Sequence, residues 1–283
     1  MKTAIITDSS CDLSDEQLAR YGVRFLSLRI VCQNAEYRDR VDMDDETLYD
    51  LLTRELPKTS LPLPEDVTQL YDDLLAQGVT DVVHISISSG LSGTYNMVRM
   101  ITEDYKDKMN IRMVDSKTLS TGLGMMVLAA AEALENGSTP DEAVEAALKV
   151  RSTQLGMFVI RTLEFLRKGG RIGLVEGVVG SLLQLKPIIF VNDDGIYQTL
   201  AKARGYKAAL DTMVGEVKRK FGDAKIKLSV VNGRAREDAE ALMERLKGEL
   251  SIAEGAFISP VSPVLAIHTG PGLLGIVANK AEA

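Results

Sequence analysis

Residues 82–96 read VVHISISSGLSGTYN. An apolar run over residues 82–87 breaks at Ser88, Ser89 and Gly90, and Ser92-Gly93-Thr94 then opens a helical pattern. A strand, a glycine turn and a helix start in immediate succession leave backbone N–H groups unpaired at the helix N-terminus. Those groups and the positive end of the helix dipole suit an anion. Four hydroxyls, Ser88, Ser89, Ser92 and Thr94, lie within seven residues of one another. Two readings stay open: the turn holds a negatively charged head group, or Ser92 only caps the helix, as serine commonly does.

The same alternation recurs through the first half of the chain. Residues 3–7 form an apolar run ending in Asp8-Ser9-Ser10, and Ser14-Asp15-Glu16-Gln17 matches a capping box. Residues 23–32 are β-rich, residues 34–44 read as a turn or edge hairpin, and residues 45–56 are helical up to Pro57. Two prolines in residues 62–64 make 58–64 an extended loop that displays Thr59 and Ser60. A helix over 65–77 precedes the organising strand. A strand over 111–114 comes after it and ends in Asp115-Ser116-Lys117. Residues 125–134 form an apolar helix, and Pro140 opens the next one. This order predicts a parallel sheet covered on both faces. Ligands of such sheets sit beyond the carboxyl ends of the strands, where Asp8-Ser9-Ser10, Ser88 to Ser92 and Asp115-Ser116 can converge.

The texture changes near residue 152, and a length of 283 residues accommodates two domains, taken as 1–152 and 153–283. Strands are expected over 155–160, 188–191, 196–200, 226–231, 255–258 and 264–268. Helices are expected over 163–166, 208–221 and 236–250. Residues 175–185 are apolar, and Asn192-Asp193-Asp194-Gly195 is a hairpin turn signal. The fold class is therefore α/β: an N-terminal parallel-sheet domain and a C-terminal mixed-sheet domain.

Composition and motifs exclude several functions. A net charge of −7 argues against a general nucleic-acid binder. Cys11 and Cys32 lack metal spacing and read as reduced cytosolic thiols, and no His/Cys/Asp cluster suggests a metal. Acidic residues from position 8 leave no room for a signal-peptide core, and no apolar run spans a bilayer. The expectation is a cytoplasmic protein. No phosphate-binding G-x-x-x-x-G-K-[ST] loop occurs, so a phosphotransferase acting alone lacks its nucleotide motif. Gly270, Gly272 and Gly275 match G-x-G-x-x-G, but only eight residues come after them, too few for a dinucleotide fold. His268, beside that turn, is either structural or a donor to an anionic head group. Gly90-Leu91-Ser92-Gly93 approaches the G-x-S-x-G nucleophile elbow without matching it. An esterase using Ser92 and His268 is the enzyme alternative. Arg167, Lys168 and Arg171, and separately Lys202, Arg204 and Lys207, form two basic groups in an acidic chain. They are solvated surface charge or contacts for a phosphate or acidic partner.

Seven motifs in order carry a resemblance. They are Thr7-Asp8-Ser9-Ser10, Thr59-Ser60-Leu61-Pro62, residues 88–95, Val114-Asp115-Ser116-Lys117, residues 166–172, Leu185-Lys186-Pro187-Ile188 and His268-Thr269-Gly270-Pro271-Gly272. Their order and spacing resemble the DegV family of bacterial fatty-acid-binding proteins. The resemblance implies two α/β domains with a fatty acid buried between them, and no catalysis by this chain itself. It implies a binding subunit that presents a long-chain fatty acid such as palmitate, stearate or oleate to a separate ATP-dependent kinase subunit. That kinase forms an acyl-phosphate for phospholipid metabolism. The implied carboxylate site is Thr59, Ser60, Ser92, Gly93, Thr94 and His268. Arg171 and Arg204 match positions tied to presentation or kinase contact. No cofactor, metal or nucleic acid is implied, and peripheral membrane contact is compatible with a soluble carrier. Gly205 and Leu273 depart from the usual family pattern.

Burial energetics fit that ligand class. A saturated C16 tail carries about 14 methylenes at ~0.8 kcal/mol each, roughly 11 kcal/mol before association entropy is subtracted. The carboxylate must then be hydrogen-bonded, since an unpaired buried charge is very costly. Hydroxyls and helix N–H groups suffice, and residues 88–96 hold no lysine or arginine. Residues 125–134 and 175–189 are candidate tail-lining stretches, although core packing alone explains both.

Overall fold

The structure, a computed structural model, describes residues 2–175 and 185–281. Most of the apolar stretch 175–185 lies outside the described residues.

In chain order the strands and helices are β1 (Thr3–Asp8), α1 (Asp15–Arg20), β2 (Arg24–Leu26), β3 (Arg29–Val31), β4 (Glu36–Arg38), α2 (Asp45–Leu51), β5 (Lys58–Ser60), α3 (Pro64–Ala76), β6 (Asp81–Ser86), α4 (Thr94–Thr102), β7 (Asn110–Asp115), α5 (Ser120–Glu135) and α6 (Pro140–Thr153). They continue as β8 (Leu155–Val159), α7 (Glu164–Lys168), β9 (Leu185–Val191), β10 (Tyr197–Arg204), α8 (Tyr206–Phe221), β11 (Ile226–Gly233), α9 (Arg236–Glu249), β12 (Phe257–Pro260), α10 (Pro263–Thr269) and β13 (Leu273–Lys280). The chain divides into two compact units, Met1–Met43 with Pro57–Ser152, and Asp44–Leu56 with Thr153–Ala283. Residues 44–56 are thus an excursion that a single boundary near residue 152 does not contain.

The first unit carries the expected parallel sheet, in the order β2-β1-β6-β7. Every residue of β6 is buried, as a parallel strand covered on both faces requires. Ile6, Val67, Tyr71, Val82 and Val98 belong to its core. The register sets Ser86 of β6 opposite Asp115 of β7, so the polar segments after β1, β6 and β7 leave the sheet at one edge. The capping box at Ser14 and Gln17 forms, with both reciprocal bonds present. Residues 34–44 make the hairpin strand β4. The stretch expected as an extended loop supplies β5, at the edge of the three-stranded antiparallel sheet β4-β3-β5. Its extended backbone is kept, and an edge strand tolerates the flanking Pro57 and Pro62.

The second unit carries the expected mixed sheet, in the order β10-β9-β8-β13-β11-β12. Among its described strands only β11 and β12 pair in parallel. The turn at 192–195 closes the β9–β10 hairpin, with Ile196 N–H donating to Asn192 Oδ1 at 3.1 Å and Gly195 in the left-handed region. α2 joins this unit through Leu48 and Tyr49, both buried. Arg234 lies over the Tyr49 ring and 3.3 Å from Asp50.

One expectation is corrected. Residues 264–268 are not a strand but the body of α10, which is buried throughout. A five-residue apolar run does not distinguish a buried helix from a buried strand. Pro263 at the first helical turn and Gly270 at φ +68° just past the end are helix signals that the run conceals. The strand that does lie here is β13, inside the sheet between β8 and β11, over residues for which the sequence pattern predicts no strand.

Candidate functional site: a hydroxyl turn and a buried histidine

In the first unit, α4 begins at Thr94, with Gly93 in the cap position and no side-chain cap bond from it. Ser92 Oγ accepts from Thr94 N–H at 3.3 Å and shares a 2.9 Å hydrogen bond with Thr94 Oγ1. The capping reading and the ligand reading therefore meet in one residue. Ser92 satisfies one N–H of the first turn. The Tyr95 and Asn96 N–H groups have no acceptor on an earlier turn among the described residues. Thr94 is buried, Ser92 half-buried and Gly93 exposed. A Cβ built on Gly93 would lie 3.5 and 3.6 Å from the Leu61 methyls. Leu61 therefore lies against the start of α4, immediately after the half-buried Thr59 and the exposed Ser60. Ser92, Gly93 and Thr94 thus stand together at the start of α4, and Thr59 and Ser60 belong to the same unit, just before the Leu61 that touches it.

The turn that leads to Ser92 is fixed from both neighbouring strands. Asp8, fully buried at the end of β1, accepts from Ile87 N–H at 2.7 Å and from the Ser10 hydroxyl at 2.5 Å. Burial pushes its carboxyl above the usual carboxylate range, more than these bonds lower it. Asp115, at the end of β7, accepts from Ser89 N–H at 3.0 Å and pairs with the Lys117 ammonium at 2.9 Å. Burial raises its carboxyl, but the bonds from Ser89 and Lys117 together carry it below the usual range. Lys117 Nζ also donates to Ser89 Oγ at 3.1 Å. A cation does stand at this turn, although none lies within residues 88–96. Sequence reasoning missed it because the contact spans 28 residues and two strands.

The remaining candidates lie in the second unit. His268, near the end of α10, is 8% exposed, and burial, then the nearby Arg171 guanidinium, lowers its pKa to about 4. The ring is therefore neutral at physiological pH. The Gly169-Gly170-Arg171 turn presses against it: a Cβ on Gly169 would stand 2.2 Å from His268 Nδ1. Arg171 Nη1 donates to Gly169 O at 2.8 Å, which folds the guanidinium back on its own turn. Gly270, at φ +68°, passes so close to Phe165 that a Cβ would lie 2.3 Å from the ring. Arg204 is exposed at the end of β10, paired in register with Leu185. The other histidine, His84, is part of the first unit's core, where its Nδ1 shares a 2.9 Å hydrogen bond with Tyr71 and burial lowers its pKa to about 3. Among the described residues no cluster of three or more His, Cys, Asp or Glu is arranged for a metal, and no helix is long and apolar enough to cross a membrane.

Residues 2–281 match the family described as "Uncharacterised protein, DegV family". The chain belongs to the DegV family. A DegV domain-containing protein of Clostridium perfringens is 37% identical over 279 residues, 99% of each chain. A fatty-acid-binding DegV family protein from Thermus thermophilus has a solved structure that superposes with a TM-score of 0.92. It is 30% identical, and the match covers 99% of this chain and 100% of that one. A stearic-acid-binding protein from Eubacterium ventriosum superposes with a TM-score of 0.88 at 26% identity, covering 99% of this chain and 98% of the other. Fatty-acid binding is thus a property of the Thermus thermophilus member of the family and of the Eubacterium ventriosum protein that shares its fold. The Ser92 hydroxyl of this DegV chain shares a hydrogen bond with Thr94, and the fatty-acid-binding relatives lend no support to a serine hydrolase.

Proposed function

We propose that this chain binds one long-chain fatty acid and presents its carboxylate to a separate ATP-dependent kinase subunit, without catalysing a reaction itself. The observation that carries the binding half is the start of α4. Two hydroxyls and unengaged helix N–H groups stand at the carboxyl edge of a parallel sheet, with Leu61, the residue after Thr59 and Ser60, against Gly93. Such a cluster accepts a carboxylate without a dedicated cation beneath it. In this reading Thr59, Ser60, Ser92, Gly93 and Thr94 hold the carboxylate. His268, neutral and able to donate one hydrogen bond, is assigned to the head group as well. The fatty-acid-binding relatives from Thermus thermophilus and Eubacterium ventriosum support the ligand class.

The kinase half rests on the family resemblance. Arg171 and Arg204 are assigned to the transferred phosphoryl group or to the kinase surface, since guanidinium groups recognise phosphate and carboxylate well. A partner that consumes ATP puts the protein in the bacterial cytoplasm. Two variants test the two halves separately. Ser92→Ala is expected to weaken fatty-acid retention about tenfold, the loss of roughly one hydrogen bond to a charged group. Unchanged affinity would remove Ser92 from the head-group site. Arg171→Ala is expected to keep lipid while losing phosphorylation by the kinase subunit, and normal phosphorylation would remove Arg171 from presentation.

A further inference from the structure

The head-group turn is held by two acidic residues that the binding reading leaves without a role. β6 lies between β1 and β7, and each neighbour ends in an aspartate. Asp8 takes the Ile87 N–H at 2.7 Å from one side, and Asp115 takes the Ser89 N–H at 3.0 Å from the other. Between them, Ser88 N–H donates to Thr118 O at 2.9 Å. Three consecutive N–H groups beyond the end of β6 are thus fixed from flanking segments, two of them by carboxylates. Ser88 in turn anchors residues 90–92. Its carbonyl accepts from Leu91 and Ser92 N–H, each at 3.0 Å, and its hydroxyl accepts from Gly90 N–H at 3.1 Å. The chain from Ile87 to Ser92 is tied to Asp8 and Asp115 through a short run of hydrogen bonds.

The backbone nearby is costly to maintain. Asp12 and Lys117, in the loops after β1 and β7, and Ser120, the first residue of α5, all sit at positive φ, and none of them is glycine. Ser120 Oγ donates to Asp12 Oδ2, joining the start of α5 to the loop after β1. Conformations of this kind persist where surrounding bonds over-determine them, and they gather at binding sites.

We propose that Asp8 and Asp115 are positioning residues. They hold the turn after β6 in the shape that presents Ser92 and Thr94 to a carboxylate, and neither touches the ligand itself. The inference rests on the reading of that turn as the fatty-acid head-group site. It departs from the simple view of Asp115 and Lys117 as an ion pair. The pair matters here because it fixes Ser89, through Asp115 to the backbone and through Lys117 Nζ to the hydroxyl at 3.1 Å.

The test combines amide hydrogen exchange of lipid-free protein with fatty-acid titration. It uses wild type, Asp115→Asn, Asp8→Asn and Asp8→Ala. Val217→Ala, in the core of the second unit, is a destabilised control. Asp115→Asn is the safer variant, since Asp115 is only partly buried and an amide oxygen still accepts one hydrogen bond. The aspartate variants are expected to speed exchange of the residue 87–96 amides in the absence of lipid and to weaken fatty-acid binding about tenfold, roughly one charge-assisted bond. Asp8→Asn should fall between wild type and Asp8→Ala, because it retains an acceptor for Ile87. The Val217→Ala control should alter neither quantity locally. Unchanged affinity despite faster exchange overturns the positioning role, as does weaker binding with unchanged exchange. A wild-type chain that binds no fatty acid overturns the underlying reading and this role with it. The exchange data would then record the clamp as purely structural.

Discussion

Replacing His84 by glutamine should flatten the pH dependence of stability. His84 is fully buried on β6, and burial lowers its pKa from 6.5 to about 3. A depressed histidine pKa means that the unfolded chain binds the proton more tightly than the native chain. The stability contribution is therefore complete above the unfolded value of 6.5 and is lost as the pH falls toward the native value. Between about pH 8 and about pH 5, protonation of the unfolded histidine costs the native state about 2 kcal/mol through this residue. His268, lowered to about 4 by burial and then by Arg171, should cost a similar amount over the same interval. The wild type should accordingly lose about 4 kcal/mol through its two histidines, and His84→Gln about 2 kcal/mol. Urea denaturation followed by circular dichroism at several pH values measures the difference. Glutamine can still hydrogen-bond the Tyr71 hydroxyl, so the variant is expected to fold, from a lower starting stability. Identical stability–pH slopes for the two proteins would refute the claim that His84 is held neutral by burial.

Two glycines separate ligand geometry from packing. Gly93→Ala should leave the melting temperature nearly unchanged, because its φ is −74° and a Cβ would make only ordinary contacts with Leu61. If the carboxylate approaches that backbone closely, the same variant should bind fatty acid severalfold more weakly in a titration. Gly169→Ala places a methyl 2.2 Å from His268 Nδ1 and should destabilise the second unit by about 1–3 kcal/mol, the usual cost of overpacking. Loosening that contact should also let the His268 pKa rise from about 4 toward 6.5, which an NMR titration of the ring would follow.

The first unit was legible because its signals are local. The alternation of Ile- and Val-rich runs with capped helices specifies a parallel sheet, and Ser14-Asp15-Glu16-Gln17 marks a helix start that the structure keeps. The hydroxyl turn was visible for the same reason, since strand, break and helix succeed one another within residues 82–96. Long-range contacts escaped. The bond from Ile87 to Asp8 crosses 79 residues, and that from Ser89 to Asp115 crosses 26. No periodicity reports such pairings. The excursion of α2 into the second unit escaped likewise, because it depends on Tyr49 standing over Gly233, where a Cβ would lie 2.7 Å from the phenol oxygen. α10 was misread for a different reason. A helix buried on every side loses the polar face from which helical periodicity is recognised.

The most direct test of the binding claim is native mass spectrometry of the protein as purified, followed by denaturation and lipid extraction. One long-chain fatty acid per chain is expected, released on denaturation and retained less well by Ser92→Ala. A chain that is empty as isolated, and that stays empty after incubation with a panel of long-chain fatty acids, would contradict the claim.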